Sequence, residues 1–318
     1  MKALLALGYG PPAQLVLGEA PQPRPGPGQV LVRMRAAALN PFDLKQLTGA
    51  FGESSIAEFP YVPGRDGAGF VAALGEGVEE PAVGEEVFGF FGRTPGTVAE
   101  YAVIDAGPYL ALRPEGLDAE HAAALPLAGI TAKTLLRALD LEPASAGPAA
   151  AGSRVLVVGA TGGIGMFAVQ LAVAAGAEVL ASASPAEGEY VRGLGAAHAL
   201  DYTSGDLVEQ VLALYPEGVD AVVDLVNSGE AVRESAHALR PGGRLASPLG
   251  GPEDLDRGVE VSYVSLTLLE GDLDDLAARA ARGELRVEVS RVFPFADAVA
   301  AFVEFAEGHT RGKLVVSL

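Results

Sequence analysis

Residues Gly159-Ala160-Thr161-Gly162-Gly163-Ile164-Gly165 stand between an apolar strand-like run, Val155–Val158, and a helix-like run, Ile164–Ala175. A buried strand that reverses into a helix within so few residues needs backbone freedom that glycine supplies best, so this turn constrains the chain more than any other feature. Gly159 begins the turn. Gly162 and Gly163, flanked by Thr161 and Ile164, carry no Cβ and let the backbone approach a bound group, while Gly165 lets helix and strand pack closely. The first amides of such a helix are free and carry partial positive charge, which suits a pyrophosphate. A glycine pattern alone is a weak signal; its position decides its meaning. Here strand-like segments recur at Glu178–Ala181, His198–Asp201, Val219–Asp224 and Gly243–Ser247, separated by helical segments at Pro185–Gly193, Asp206–Leu214 and Glu230–Leu239. Right-handed crossovers then predict a parallel, doubly wound α/β sheet of the Rossmann kind, with the turn holding a dinucleotide.

The chain before the turn reads differently. Short apolar runs at Lys2–Leu7, Val30–Ala38, Gly69–Leu74, Glu86–Phe91 and Val98–Ile104 are separated by Gly and Pro clusters, and Arg33 and Arg35 alternate with Val32 and Met34 as on a half-buried strand. Asp118 is placed to cap a helix over Ala119–Leu125, and Thr131–Leu139 is a second helix. Residues Pro143–Gly152 contain only Ala, Pro, Gly and Ser and read as a loop. The tail predicts helices at Leu273–Arg282 and Ala296–Glu307, a short strand near Val287 and a last strand at Lys313–Val316, too far from the βα series to extend it and available to the first domain.

The residues after the second Rossmann strand select the cofactor. A site for NADH normally offers Asp or Glu there, about twenty residues past the first glycine. This chain reads Ala181-Ser182-Ala183-Ser184-Pro185, with no acid before Glu187. The hydroxyls of Ser182 and Ser184 can donate to a 2′-phosphate, so NADP(H) is preferred and NAD(H) remains possible. The Arg or Lys expected beside a 2′-phosphate is missing, and Arg192 falls on the following helix.

Taken in order, the motifs resemble the medium-chain dehydrogenase/reductase superfamily, in its zinc-independent quinone and enone oxidoreductase branch. They are Ala38-Leu39-Asn40-Pro41-Phe42-Asp43-Leu44-Lys45, Pro63-Gly64-Arg65-Asp66-Gly67-Ala68-Gly69, Val83–Gly89, Gly96–Tyr101, Leu125–Ala132 and Gly308–Val316. The resemblance implies a GroES-like, β-rich catalytic domain over 1–120 and 284–318, and a Rossmann NADP-binding domain over 121–283. It implies that Asn40 and Thr131 lie near the nicotinamide end of the cofactor. Lys45 matches a lysine near the nicotinamide ribose and substrate, Tyr61 is a candidate hydroxyl donor, and Tyr202 matches a tyrosine near the adenosine phosphate. Asn227, Leu249 and Gly250 follow the fourth and fifth strands on the edge where a cofactor lies, and Arg311 either reaches phosphate or sits on the surface. The aromatic residue usual after Thr-Ala is Lys133 here. Relatives commonly form homodimers.

The Gly-His-Glu position of zinc-dependent relatives reads Gly64-Arg65-Asp66, the chain has no cysteine, and its four histidines (121, 198, 237 and 309) lack ligand spacing, so no zinc site is expected. Reduction is then easiest for a small electrophile that spreads charge itself, a quinone or an α,β-unsaturated carbonyl. The alternative is a non-catalytic, crystallin-like NADPH-binding protein. A short-chain dehydrogenase is excluded because no tyrosine has Lys four residues later, and a hydrolase is disfavoured because no Gly-x-Ser-x-Gly is present. With 41 acidic and 22 basic residues the net charge is −19, which disfavours nucleic acid and anionic membranes as partners. Val155–Ala177 is uncharged and long enough to span a bilayer, but four glycines divide it into strand and helix, so no membrane span and a cytoplasmic location are expected.

Overall fold

The computed structural model describes residues 1–52, 55, 56, 58–92, 95–142, 151–308 and 310–318. Most of the expected 143–152 loop, and His309 in the last family motif, lie outside the described residues.

Two compact units divide the chain: Met1–Leu127 with Leu268–Leu318, and Ala128–Thr267. In chain order the first unit contributes β1 (Lys2–Leu5), β2 (Val16–Glu19), β3 (Gln29–Ala38), α1 (Pro41–Leu47), β4 (Asp66–Leu74), β5 (Glu86–Phe90), β6 (Tyr101–Asp105), β7 (Leu110–Leu112) and α2 (Ala119–Ala123). After α3 (Pro126–Ala138) come β8 (Arg154–Val158), α4 (Gly163–Ala174), β9 (Glu178–Ala183), α5 (Gly188–Gly193), β10 (His198–Asp201), α6 (Leu207–Leu214), β11 (Val219–Asp224), α7 (Val232–Ala236), β12 (Leu239–Ser247) and β13 (Glu260–Tyr263). The chain ends with α8 (Asp272–Ala281), β14 (Val289–Pro294), α9 (Ala298–Glu307) and β15 (Lys313–Ser317) in the first unit.

The first unit is built on a seven-stranded path, β14-β15-β3-β4-β5-β7, with β6 also on β3. Long β3 is central, so the alternation of exposed Arg33 and Arg35 with buried Val32 and Met34 gives way to full burial at Ala36–Ala38. There β15 pairs antiparallel to it, Val316 opposite Ala37, which fixes the last strand in the first unit as its distance from the βα series suggested. The first unit is larger than the expected 1–120 and 284–318. A boundary at 121 would cut α2, whose Ala122 and Ala123 are buried, and α8 buries Leu273, Leu276 and Ala277 in contact with β7. Apolar faces on these two helices hold them in the first unit.

The second unit is a parallel sheet ordered β10-β9-β8-β11-β12-β13, in which every pairing is parallel. Its central strands are buried on both sides, which is why β8 reads as an unbroken apolar run. Two differences from the sequence reading have local causes. The helix expected to reach Leu239 stops at Ala236, because Leu239 already pairs with Val219 and a register shift absorbs the Pro241-Gly242-Gly243 segment before Arg244 meets Ala221. The short strand expected near Val287 begins at Val289, where it pairs with Lys313. Strand β13 is too short and polar (Glu-Val-Ser-Tyr) to announce itself.

Candidate functional site

Strand order reverses between β8 and β11, so the crevice for a ligand opens at their carboxyl ends. Gly159 follows β8 with φ of 84°, a conformation that favours glycine. A Cβ on Gly159 would sit 2.8 Å from Val226 Cγ2, and one on Gly165 only 2.1 Å from the Gly159 carbonyl oxygen. A Cβ on Gly162 would meet nothing closer than 3.6 Å, so the space above the turn is open. Gly162 is the N-cap of α4 and offers no side chain to cap the amides that follow. The amides of Gly163, Ile164 and Gly165, the first turn of α4, have no intrahelical acceptor, and a pyrophosphate fits such a helix N-terminus.

Buried side chains at the strand ends hold the crevice in shape. Ser182 Oγ accepts from the Gly159 amide at 2.9 Å. Asp224 accepts from the amides of Val226 (3.0 Å) and Asn227 (2.9 Å), from Asn227 Nδ2 (2.9 Å) and from the Ser235 hydroxyl. Ser247 Oγ accepts from the Leu249 amide at 3.1 Å, and the Gly250 carbonyl accepts from the Gly229 amide. Thus Thr161, Gly162, Gly163, Ile164, Ser182, Asn227, Leu249 and Gly250 lie at or just past the carboxyl ends of β8, β9, β11 and β12. Ser182, however, braces the turn, and Asn227 folds back on Asp224. At the end of β9, Ser184 Oγ donates to Glu187 Oε2 at 3.0 Å. Tyr202 follows β10 and is half exposed. On α3, Thr131 is buried, and Lys133 is buried with Nζ 3.4 Å from Glu142.

The first unit contains a different kind of site, made of buried polar side chains. Asn40 ends the segment leaving β3 and its amide donates to Asp43 Oδ2 at 2.9 Å, opening α1. Its side chain is fully engaged: Nδ2 donates to Asp66 Oδ2 at 3.0 Å, and Oδ1 accepts from Lys313 Nζ. Lys313 also donates to the Leu39 carbonyl at 2.7 Å and lies 3.8 Å from Asp66. Alongside, Gln46 Oε1 accepts from Tyr61 Oη at 3.1 Å and Arg65 Nη2 at 2.8 Å, while Arg65 Nη1 donates to the Gly92 carbonyl and its guanidinium lies over the Phe42 ring at 4.9 Å. Burial pushes Asp43 up to about 7 and Asp66 up to about 6, the nearby Lys313 opposing both; burial likewise lowers Lys313 against the pull of those carboxylates. Burial also pushes Tyr61 up to about 12. Asp43 Oδ1 and Arg65 Nε are buried without a hydrogen-bond partner.

Of the three catalytic candidates, Asn40 and Tyr61 are thus held inside this network, whereas Lys45 lies exposed on α1. Arg311 pairs with Glu288 at 2.9 Å. Gln46, Asp66, Lys313, Asp224 and Ser247 were not singled out from the sequence. The usable signal was a charged residue opening an otherwise apolar strand, as Asp66 and Lys313 do.

Residues 26–114 match the alcohol dehydrogenase GroES-like domain, and residues 194–316 the zinc-binding dehydrogenase family. The chain is 30% identical to human NAD(P)H oxidoreductase RTN4IP1, mitochondrial, over 92% of its own length and 82% of that protein's. The chain belongs to the medium-chain dehydrogenase/reductase superfamily. Within this superfamily it is 31% identical to an NADPH-dependent alkenal/one oxidoreductase, chloroplastic, of Arabidopsis thaliana, covering 91% of this chain and 72% of the relative. The quinone oxidoreductase structure from Coxiella burnetii superposes with a TM-score of 0.87 at 29% identity, over 100% of this chain and 99% of that one. This superfamily member is therefore an oxidoreductase with a GroES-like and a Rossmann unit, and its superfamily binds NAD(P)H. The zinc that one family description names does not fit: there is no cysteine, and Arg65, a cation, stands where the Gly-His-Glu histidine would be.

Proposed function

We propose that this protein uses NAD(P)H, without a metal, to reduce a quinone or an α,β-unsaturated carbonyl. The observation that carries this reading is Arg65, which fills the metal-ligand position with a guanidinium fixed by Gln46, Gly92 and Phe42. With no Lewis acid to polarise a simple carbonyl, the acceptor has to delocalise the developing charge itself. The bound nicotinamide supplies the hydride. The chain's part is placement: amides at the start of α4 hold the pyrophosphate, and Ser182, Asp224 and Ser247 keep that edge in one shape. Lys45 is retained as a residue that meets the nicotinamide ribose or substrate, because its ammonium is accessible. Asn40 and Tyr61 are assigned to the network that supports the first unit. The reading is supported by the names of the Arabidopsis relative and the Coxiella neighbour. The cytoplasmic location and homodimer expected from the sequence belong to the same proposal; sedimentation analysis tests the latter.

Turnover of 1,4-benzoquinone, naphthoquinones, alkenals and cyclic enones, followed at the nicotinamide absorbance with and without EDTA, tests it. EDTA-insensitive reduction of at least one class is expected. Tight nucleotide binding with no turnover across the panel would favour the non-catalytic alternative.

A further inference from the structure

The sequence weighed Ser182 and Ser184 as donors to a 2′-phosphate, but the structure gives both hydroxyls other work. Ser182 is buried and accepts from the Gly159 amide, which ties the end of β9 to the phosphate turn. Two residues on, Ser184 sits at the end of the second Rossmann strand and its hydroxyl is 3.0 Å from the Glu187 carboxylate. The backbone turn Pro185–Glu187 folds that carboxylate back onto the strand end, where the sequence alone showed only hydroxyls. The nearest base in sequence, Arg192, donates to Glu189 at 3.0 Å on the same helix.

We propose that Glu187, positioned by Ser184, makes this enzyme select NADH over NADPH. Resting on the dinucleotide reading above, this reverses the cofactor preference expected from the sequence. A ribose diol has hydroxyls to donate, and the Glu187 carboxylate is a pure acceptor. A 2′-phosphate is an acceptor bearing negative charge, and it meets like charge from Glu187, while Arg192 pairs with Glu189. An acidic group at the end of this strand is the general device by which Rossmann sites hold the 2′-hydroxyl, and here it reaches that place through the Pro185–Glu187 turn, just past the strand's last residue, Ala183.

Equilibrium binding of NADH and NADPH to the full-length protein, read by nucleotide fluorescence and needing no acceptor, tests this. Wild type is expected to bind NADH about tenfold more tightly than NADPH. Glu187→Gln is expected to narrow that ratio, Glu187→Lys to invert it by tightening NADPH, and Arg192→Ala to leave it unchanged. Equal or tighter NADPH binding by wild type, or a ratio unmoved by Glu187→Gln, would overturn the proposal while leaving the oxidoreductase reading intact. Tight NADH binding without turnover would instead remove that reading and leave the selectivity standing. Failure to bind either nucleotide would remove both.

Discussion

The two units place their polar groups in opposite ways. In the second, the groups proposed to hold the pyrophosphate are backbone amides, and buried side chains such as Ser182 and Asp224 brace the loops around them. In the first, buried side chains from three separate stretches of sequence hydrogen-bond to one another: Asn40 and Gln46, Tyr61 and Asp66, and Lys313. A backbone site demands glycine at fixed spacing, whereas a side-chain network demands only that distant residues converge. The first tolerates almost no added atoms; the second tolerates no missing partner.

The largest effect should come from breaking the network. Lys313→Met leaves the Asp66 and Asp43 carboxyls buried without their cation, and a loss of about 3–5 kcal/mol in urea unfolding is expected. Adding Asp66→Asn should restore part of it; a double variant no better than Lys313→Met would show that the two residues do not act as a pair. On the backbone side, Gly165→Val drives a Cβ to 2.1 Å from the Gly159 carbonyl oxygen and is expected to cost about 3 kcal/mol by the same measurement.

This contrast also explains what the sequence disclosed. The turn, the βα series and the capping role of Asp118 are local, so spacing and residue type revealed them; Asp118 does accept from the His121 amide. Asn40 stood out through its family motif, yet its partners Asp66 and Lys313 lie 26 and 273 residues away, and no local pattern records such a meeting. Ser184 and Glu187 are only three apart, but the turn that joins them falls at the start of the helix expected over Pro185–Gly193, where a side chain's return to the strand end leaves no local pattern. Strand β13 was missed because its edge position asks for little apolar content.

A smaller effect is expected from pH. Burial raises Asp43 from 3.8 to about 7, so the folded state holds that proton more tightly than the unfolded chain. Its contribution to stability is complete below about pH 4 and is lost as pH rises through about 7. Asp43→Asn should therefore gain on wild type by about 1–2 kcal/mol between acid and mildly alkaline urea titrations; a difference independent of pH would place the carboxyl outside the buried network. The smallest change in stability belongs to Lys45→Ala, within about 0.5 kcal/mol because the side chain is exposed. Its expected signature is kinetic, a severalfold rise in KM for nucleotide or acceptor, and unchanged kinetics would remove Lys45 from the site.

The claim on which the rest depends is that free amides at the start of α4 grip the pyrophosphate. Hydrogen exchange with residue resolution, with and without saturating NADH, tests it directly. New protection is expected at Gly163, Ile164 and Gly165 on nucleotide binding. Protection confined to other segments, with these amides exchanging as before, would contradict it.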